Sequence, residues 1–122
     1  MPGKIMIVDD EVHLARILQF TLQHAGYEVV TAFDGREAIE TFEKERPDLV
    51  ILDLMLPVID GYKVCNLIKR DGPQAGVPVI ILSARDFEKQ KLDEDVRADL
   101  LMEKPFNTEN LLEAISRLLS PC

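Results

Sequence analysis

Residues 49–53 read Leu-Val-Ile-Leu-Asp, and this stretch decides the fold class. Its four consecutive apolar residues leave no polar face, so a strand built from them must be covered on both sides. Such strands are typical of parallel sheets that lie between two layers of helices. The run ends in Asp53, which places a carboxyl group at the edge of a hydrophobic sheet.

Similar apolar runs and helical stretches alternate along the rest of the chain. Runs rich in Val, Ile and Leu occur at 5–8, 29–31, 79–82 and 100–102, and apolar residues with helical spacing occur at 14–22, 38–42, 64–68 and 111–119. A weaker, highly charged window at 86–96 predicts a loosely packed fourth helix. Gly26 and Pro47 are expected to end the first two helices. The pattern predicts an α/β fold in which five helices flank one doubly wound, five-stranded parallel sheet.

Length and composition exclude several classes of protein. The 122 residues suffice for one domain, expected to span 1–122, and its core needs no disulfide or structural metal. The formal net charge of −8 disfavours direct nucleic-acid binding, because phosphate backbones are also negative. Cys65 and Cys122 form neither a disulfide framework nor a zinc site. No signal or membrane segment is apparent, so a cytoplasmic location is expected.

Three acidic residues are expected to meet at one edge of the sheet. Asp9 and Asp10 follow the first strand, and Asp53 ends the third. The simplest interpretation of Asp10 is a cap for the first helix, and on position alone this alternative has about even weight. The first and third strands are neighbours in the common five-stranded order, however, which brings the three carboxylates together. Such a cluster needs a proton or a cation, and its oxygen ligands suit Mg²⁺.

Two further polar residues follow the remaining strands. Ser83 ends the fourth strand, and Lys104 follows the fifth. In isolation, Ser83 is best interpreted as a helix cap and Lys104 as a solvated lysine. Opposite a metal-carboxylate cluster, a hydroxyl and an ammonium would suit the oxygens of a phosphoryl group.

Taken together, these strand ends resemble the receiver domain of two-component response regulators. The matching residues are Val8-Asp9-Asp10-Glu11, Leu52-Asp53-Leu54-Met55-Leu56-Pro57 with Asp60-Gly61, Ser83-Ala84-Arg85 and Lys104-Pro105-Phe106. The four pieces occur in order, each at the end of its own predicted strand, over nearly the full length. The resemblance implies a flavodoxin-like fold with strand order 2-1-3-4-5. It also implies a cis bond between Lys104 and Pro105.

The resemblance further implies a function as a phosphoacceptor. Asp53 would take a phosphoryl group from a phosphohistidine of a sensor histidine kinase or a phosphotransfer protein. Mg²⁺ would be held by Asp9, Asp10, Asp53 and the backbone carbonyl of Met55, while Lys104 and Ser83 would contact the phosphoryl oxygens. The expected result is a conformational switch that signals to an output domain or an effector protein. Such a chain assists its own phosphorylation and dephosphorylation and is not a turnover enzyme.

Two departures from the family pattern concern signalling, and three alternatives concern function. Leu101 stands where the family commonly has an aromatic residue, and Arg97 where it commonly has glycine. The main alternative is a phosphorylation-independent interaction module, although the complete site disfavours it. A haloacid dehalogenase-type phosphatase would have a second Asp where this chain has Met55. A nucleotide-binding Rossmann module would have a glycine-rich loop after the first strand.

Overall fold

The computed structural model describes residues 3–53, 77–83, 100–103 and 107–119. In these ranges the strands are β1 (Lys4–Val8), β2 (Glu28–Ala32), β3 (Leu49–Asp53), β4 (Val79–Ser83) and β5 (Leu100–Glu103). The helices are α1 (Val12–His24), α2 (Gly35–Glu45) and α3 (Thr108–Leu119). Each observed strand contains one predicted apolar run and is longer than that run by one residue at one or both ends.

The five strands form one parallel sheet in the order β2-β1-β3-β4-β5. Val8, the last residue of β1, pairs with Ala32 on β2 and with Leu52 on β3. The predicted fold class and strand order are therefore confirmed. Because β1 and β3 are parallel neighbours in this register, the residues that follow them emerge at the same edge of the sheet.

Helices cover both faces of the sheet, which explains why the strands have no polar face. Successive side chains of a strand point to opposite faces. Ile5 and Ile7 belong to a buried cluster with residues of α1 and α3, whereas Met6 and Val8 belong to a second cluster with residues of α2. Full burial of one such aliphatic side chain contributes about 1.5–3 kcal/mol, so this double-sided core supplies most of the stabilisation.

The helices start and stop at residues of the types that favour helix ends. The Oδ1 atom of Asp34 accepts a hydrogen bond from the Glu37 backbone N–H at 2.8 Å, and Glu37 Oε1 accepts one from the Phe33 N–H at 2.7 Å. The Asp34 side chain therefore caps the first turn of α2, and the Glu37 side chain binds the backbone of the residue before the cap. Arg46 follows α2 in the left-handed conformation with φ 50°. Gly26 follows α1 with φ 102°, as expected for the residue that ends this helix.

Lys4 joins three elements at the sheet edge opposite the strand ends that carry the acids. Its backbone N–H donates to Asp48 Oδ2 at 2.8 Å. Its Nζ donates to Glu45 Oε1 at 3.1 Å and lies 3.7 Å from Glu28 Oε2. The hydrogen bond to Glu45 raises the pKa of Lys4, partial desolvation opposes this effect, and the charge of Glu28 adds to it.

Several sequence expectations concern residues outside the described ranges. They include the helix predicted around 64–68, the loosely packed helix at 86–96, and the positions of Cys65, Arg97 and Pro105. The predicted total of five helices therefore stays a prediction. None of the described helices is long and apolar enough to cross a membrane.

Candidate metal centre

The ends of β1 and β3 bring three carboxyl groups into one cluster. Asp9 and Asp10 follow Val8, the last residue of β1, and Asp53 is the last residue of β3. Each of the three offers one carboxylate oxygen, and these oxygens all lie within 4.8 Å of one another. The convergence of Asp9, Asp10 and Asp53 that the strand order predicted is therefore present in the structure.

The three carboxyl groups differ in their exposure to solvent. Asp9 is 1% exposed and Asp53 is 6% exposed, so both are buried. Asp10 is exposed. Asp9 and Asp53 therefore form the buried part of the cluster, and Asp10 forms the part that faces solvent.

Backbone hydrogen bonds orient Asp9 within the cluster. Its Oδ1 atom accepts from the Glu11 backbone N–H at 2.8 Å, two residues further along the chain. Its own backbone N–H donates to the Ala32 carbonyl at 3.1 Å. The sequence motifs did not predict this role of the Glu11 N–H. An aspartate two residues before the N-cap position is the available signal, because its side chain commonly accepts a hydrogen bond from the backbone N–H two residues further on.

Asp10 is not the cap of α1, so this alternative interpretation is wrong. The N-cap position is occupied by Glu11, and no side-chain hydrogen bond caps the helix there. The first turn of α1 also contains no acidic residue. The structure therefore gives Asp10 no capping role and places its carboxylate close to those of Asp9 and Asp53.

The cluster concentrates negative charge in a small space. Two unit charges 4.8 Å apart repel by about 3.5 kcal/mol at an effective dielectric of ~20. Three mutual repulsions of this kind are unfavourable unless positive charge balances them. A divalent cation would remove the repulsion, because each carboxylate then has an opposite charge next to it.

The donor set fits a hard cation such as Mg²⁺. Its oxygen ligands are the type that Mg²⁺ prefers, and the exposed side leaves room for the waters that this ion retains. Two oxygens bound to one Mg²⁺ at about 2.0–2.1 Å lie at most about 4.2 Å apart. Because the carboxylate oxygens lie within 4.8 Å of one another, a small side-chain shift or one bridging water would let them bind the same ion.

The other predicted site residues are described only in part. Ser83 is the last residue of β4, and its backbone pairs with Glu103 of β5, so the chain leaves both strands at the sheet edge that carries the carboxyl cluster. The side chain of Ser83 lies outside what the structure describes. Met55 and Lys104 also lie outside the described ranges. Their predicted contacts with Mg²⁺ and a phosphoryl group stay predictions.

Comparisons with known proteins agree on one family. The family model described as "Response regulator receiver domain" matches residues 5–116. The alkaline phosphatase synthesis transcriptional regulatory protein PhoP of Bacillus subtilis is 39% identical over 120 residues, which cover 98% of this chain and 49% of PhoP. The chain therefore spans about half the length of this relative.

Solved structures of similar proteins have the same fold. A putative response regulator from Chloroflexus aurantiacus has a TM-score of 0.91 and 32% identity, covering 99% of this chain and all of that one. The response regulator protein TrrA from Thermotoga maritima, solved in complex with Mg²⁺ and BeF, has a TM-score of 0.84 and 34% identity. That match covers 98% of this chain and 100% of TrrA.

Proposed function

The chain belongs to the response regulator receiver domain family, and we propose that it accepts a phosphoryl group on Asp53 in a Mg²⁺-dependent reaction. The observation that carries this proposal is the position of Asp53, which is 6% exposed and has Asp9 and Asp10 within 4.8 Å. A buried carboxylate beside two others is costly unless hydrogen bonds or positive charge compensate it. It is useful where a cation and a phosphoryl group must be held together.

The proposed reaction transfers a phosphoryl group between two side chains. An Asp53 carboxylate oxygen attacks the phosphorus of a phosphohistidine, a P–O bond forms, and the P–N bond breaks. The imidazole leaves with the electron pair of that bond and takes up a proton. Asp53 then carries an acyl phosphate. Little other covalent chemistry is required, so the protein contributes mainly by positioning and by neutralising charge.

Five residues would assist Asp53. Asp9 and Asp10 would hold Mg²⁺ together with Asp53, and the family resemblance adds the Met55 backbone carbonyl, with Lys104 and Ser83 at the phosphoryl oxygens. When bound, Mg²⁺ would supply positive charge to the transferred group. Asp9, Asp10, Asp53 and Lys104 carry a formal −2, which the cation balances. With an acyl phosphate of about −2 on Asp53, the total is −1 with Mg²⁺ and −3 without it.

Receiver domains of response regulators act with histidine kinases and output domains, and we extend this to the present chain. Residues 1–122 would form one receiver domain whose phosphoryl donor is a sensor histidine kinase or a phosphotransfer protein. PhoP is a transcriptional regulatory protein about twice as long as the matched region, which supports signalling to an output domain or an effector. A cytoplasmic location is consistent with such partners.

Intact-mass spectrometry after incubation with phosphoramidate tests the proposal. The wild-type chain should gain the mass of one phosphoryl group with Mg²⁺ present, and little or none after chelation by EDTA. Asp53→Asn should gain none. Glu11→Gln is a matched control, because it removes the same charge beside the cluster while leaving the three clustered carboxylates intact, and it should behave as wild type.

Two outcomes would contradict the proposed function. An equal gain of mass in the Asp53→Asn variant would mean that another residue accepts the phosphoryl group. No gain in the wild-type chain at any Mg²⁺ concentration, with a folded protein, would instead favour the phosphorylation-independent interaction module.

A further inference from the structure

Asp34 and Gly35 form a pair of residues that can undergo a spontaneous covalent change. In such a pair the backbone nitrogen of glycine attacks the carboxyl carbon of aspartate, and the absence of a Cβ on glycine leaves the approach open. The chain contains three Asp–Gly pairs, at 34–35, 60–61 and 71–72. The pair at 34–35 lies in the described part of the chain, at the start of α2. Its geometry can therefore be compared with the geometry that the reaction requires.

The reaction converts aspartate to isoaspartate through a succinimide ring. The Gly35 nitrogen forms a bond to Cγ of Asp34, and the hydroxyl of the protonated carboxyl group leaves as water with the proton of that nitrogen. Water then adds to one of the two ring carbonyl carbons, and the bond from that carbon to the nitrogen breaks. When the broken bond is the original peptide bond, the main chain continues through the side-chain carbons and isoaspartate results. Water is the only other reactant.

Two hydrogen bonds fix Asp34 at the start of α2. The Asp34 Oδ1 atom accepts from the Glu37 backbone N–H at 2.8 Å, which ties the carboxyl group to the first turn of the helix. The Glu37 Oε1 atom accepts from the Phe33 N–H at 2.7 Å, which ties the preceding peptide to the same turn. Rotation of the Asp34 carboxyl group towards the Gly35 nitrogen would break the first of these bonds.

The backbone at Asp34 also has the wrong geometry for ring closure. Its ψ angle of 174° places the Gly35 nitrogen trans to the Asp34 nitrogen. A succinimide ring instead requires the Gly35 nitrogen to eclipse Cβ of Asp34, so the backbone must rotate about its Cα–C bond. Gly35 is buried as the first residue of α2, which restricts access of water and base to its N–H. Ring closure therefore requires the first turn of α2 to open.

We propose that Asp34–Gly35 is a modification site that converts to isoaspartate only when the first turn of α2 opens. The rate of conversion in the folded chain is then set by the fraction of time that this turn is open. The proposal does not depend on phosphorylation, because it uses none of the clustered carboxylates.

The product would not restore the cap of α2. Isoaspartate has an extra methylene group in the main chain, and its carboxylate is attached directly to Cα. The carboxylate therefore no longer has the position from which Asp34 Oδ1 accepts the Glu37 N–H. Because a lost N-cap destabilises the first turn of a helix, the modified chain should open at this turn more often than the original chain.

Peptide mapping of aged protein tests the proposal. The wild-type chain is kept for several weeks at neutral pH, one sample folded and one in concentrated guanidinium chloride, and both are then digested with trypsin. The three Asp–Gly pairs fall on separate peptides, 17–36, 45–63 and 71–85, and electron-transfer fragmentation distinguishes isoaspartate from aspartate. Peptide 17–36 should form isoaspartate at least about ten-fold faster in the denatured sample, as for a turn open less than about a tenth of the time.

Three variants test the role of the turn. Glu37→Ala removes the acceptor for the Phe33 N–H but keeps the backbone N–H that Asp34 binds, so isoaspartate should form about two- to ten-fold faster in the folded sample and at an unchanged rate in the denatured one. Glu40→Ala is the matched control, because it removes an exposed glutamate of the same helix, and it should age as the wild type does. Asp34→Ser keeps a residue favoured at the N-cap and should form no isoaspartate in peptide 17–36.

Three outcomes would overturn the proposal. Equal rates in the folded and denatured wild-type samples would show that opening of α2 does not control the reaction. Absence of isoaspartate from peptide 17–36 of the denatured sample would show that the pair is not a modification site. A folded Glu37→Ala variant that ages as the wild type does would show that the Phe33 hydrogen bond does not keep the turn closed. Circular dichroism checks that each variant is folded.

Discussion

Replacing Asp10 by asparagine removes one negative charge from the carboxyl cluster while leaving α1 intact. The structure shows that Asp10 does not cap this helix, so the substitution removes no helix-capping hydrogen bond. Its main effect is to relieve the repulsion between Asp10 and the other two carboxylates, which lie within 4.8 Å. We therefore expect the metal-free variant to be more stable than the metal-free wild type.

The size of this effect follows from distance and exposure. Each repulsion at 4.8 Å is about 3.5 kcal/mol at a dielectric of ~20 but only about 0.9 kcal/mol in bulk water. Because Asp10 is exposed, solvent screens its charge, and the value for water is the better guide. Two relieved repulsions then give a gain of about 1–2 kcal/mol, which corresponds to an increase in Tm of about 3–10 °C.

The same substitution should reduce stabilisation by Mg²⁺. An ion present at ten times its Kd stabilises the folded wild type by about 1.4 kcal/mol. If loss of the Asp10 carboxylate weakens binding tenfold, the gain at the same Mg²⁺ concentration falls to about 0.4 kcal/mol. Thermal denaturation in EDTA and over a series of Mg²⁺ concentrations measures both effects in one experiment.

The control for this prediction is Glu11→Gln, which changes the net charge equally but lies outside the three clustered carboxylates. It should change the metal-free Tm by no more than about 2 °C, and the increase in Tm on adding Mg²⁺ should match that of the wild type. The reasoning would be refuted if Asp10→Asn lowered the metal-free Tm, or if both variants gave the same response to Mg²⁺.

Two other predictions concern the ends of α2 and β1. Arg46 adopts φ 50° after α2, so Arg46→Gly should raise the free energy of unfolding by about 0.5–1 kcal/mol, and urea denaturation showing a loss would contradict this origin of strain. The pKa of Lys4 is raised above its usual value of 10.5 in the folded chain. Protonated Lys4 therefore stabilises the folded state fully below pH 10.5, and this contribution is lost as the pH rises through the folded-state pKa. Lys4→Met should therefore flatten the fall in urea midpoint above about pH 10, and an unchanged alkaline slope would argue against this role.

The amino-acid sequence by itself determined the layers of the fold and the order of its elements. Continuous apolar runs such as 49–52, rich in Val, Ile and Leu, indicate strands covered on both faces. The helical spacing of Leu14, Leu18 and Leu22 predicts a helix that covers one face of the sheet. These are local patterns with a period of their own, so they are visible without knowing which parts of the chain meet. The motifs at the strand ends indicate the family for the same reason, because each is a short run of consecutive residues.

The parallel register between β1 and β3 was decided only by tertiary structure, and it is what brings Asp53 to Asp9 and Asp10. An aspartate at position 10 is expected both for a helix cap and for a carboxylate cluster. Only the geometry at the start of α1 showed that Asp10 is not the cap. The exposure of Phe20 in α1 was equally hidden, because an apolar residue in an amphipathic helix looks the same whether or not another element covers it. Local periodicity specifies which elements form, whereas packing between elements distant in sequence specifies which side chains meet and which remain exposed.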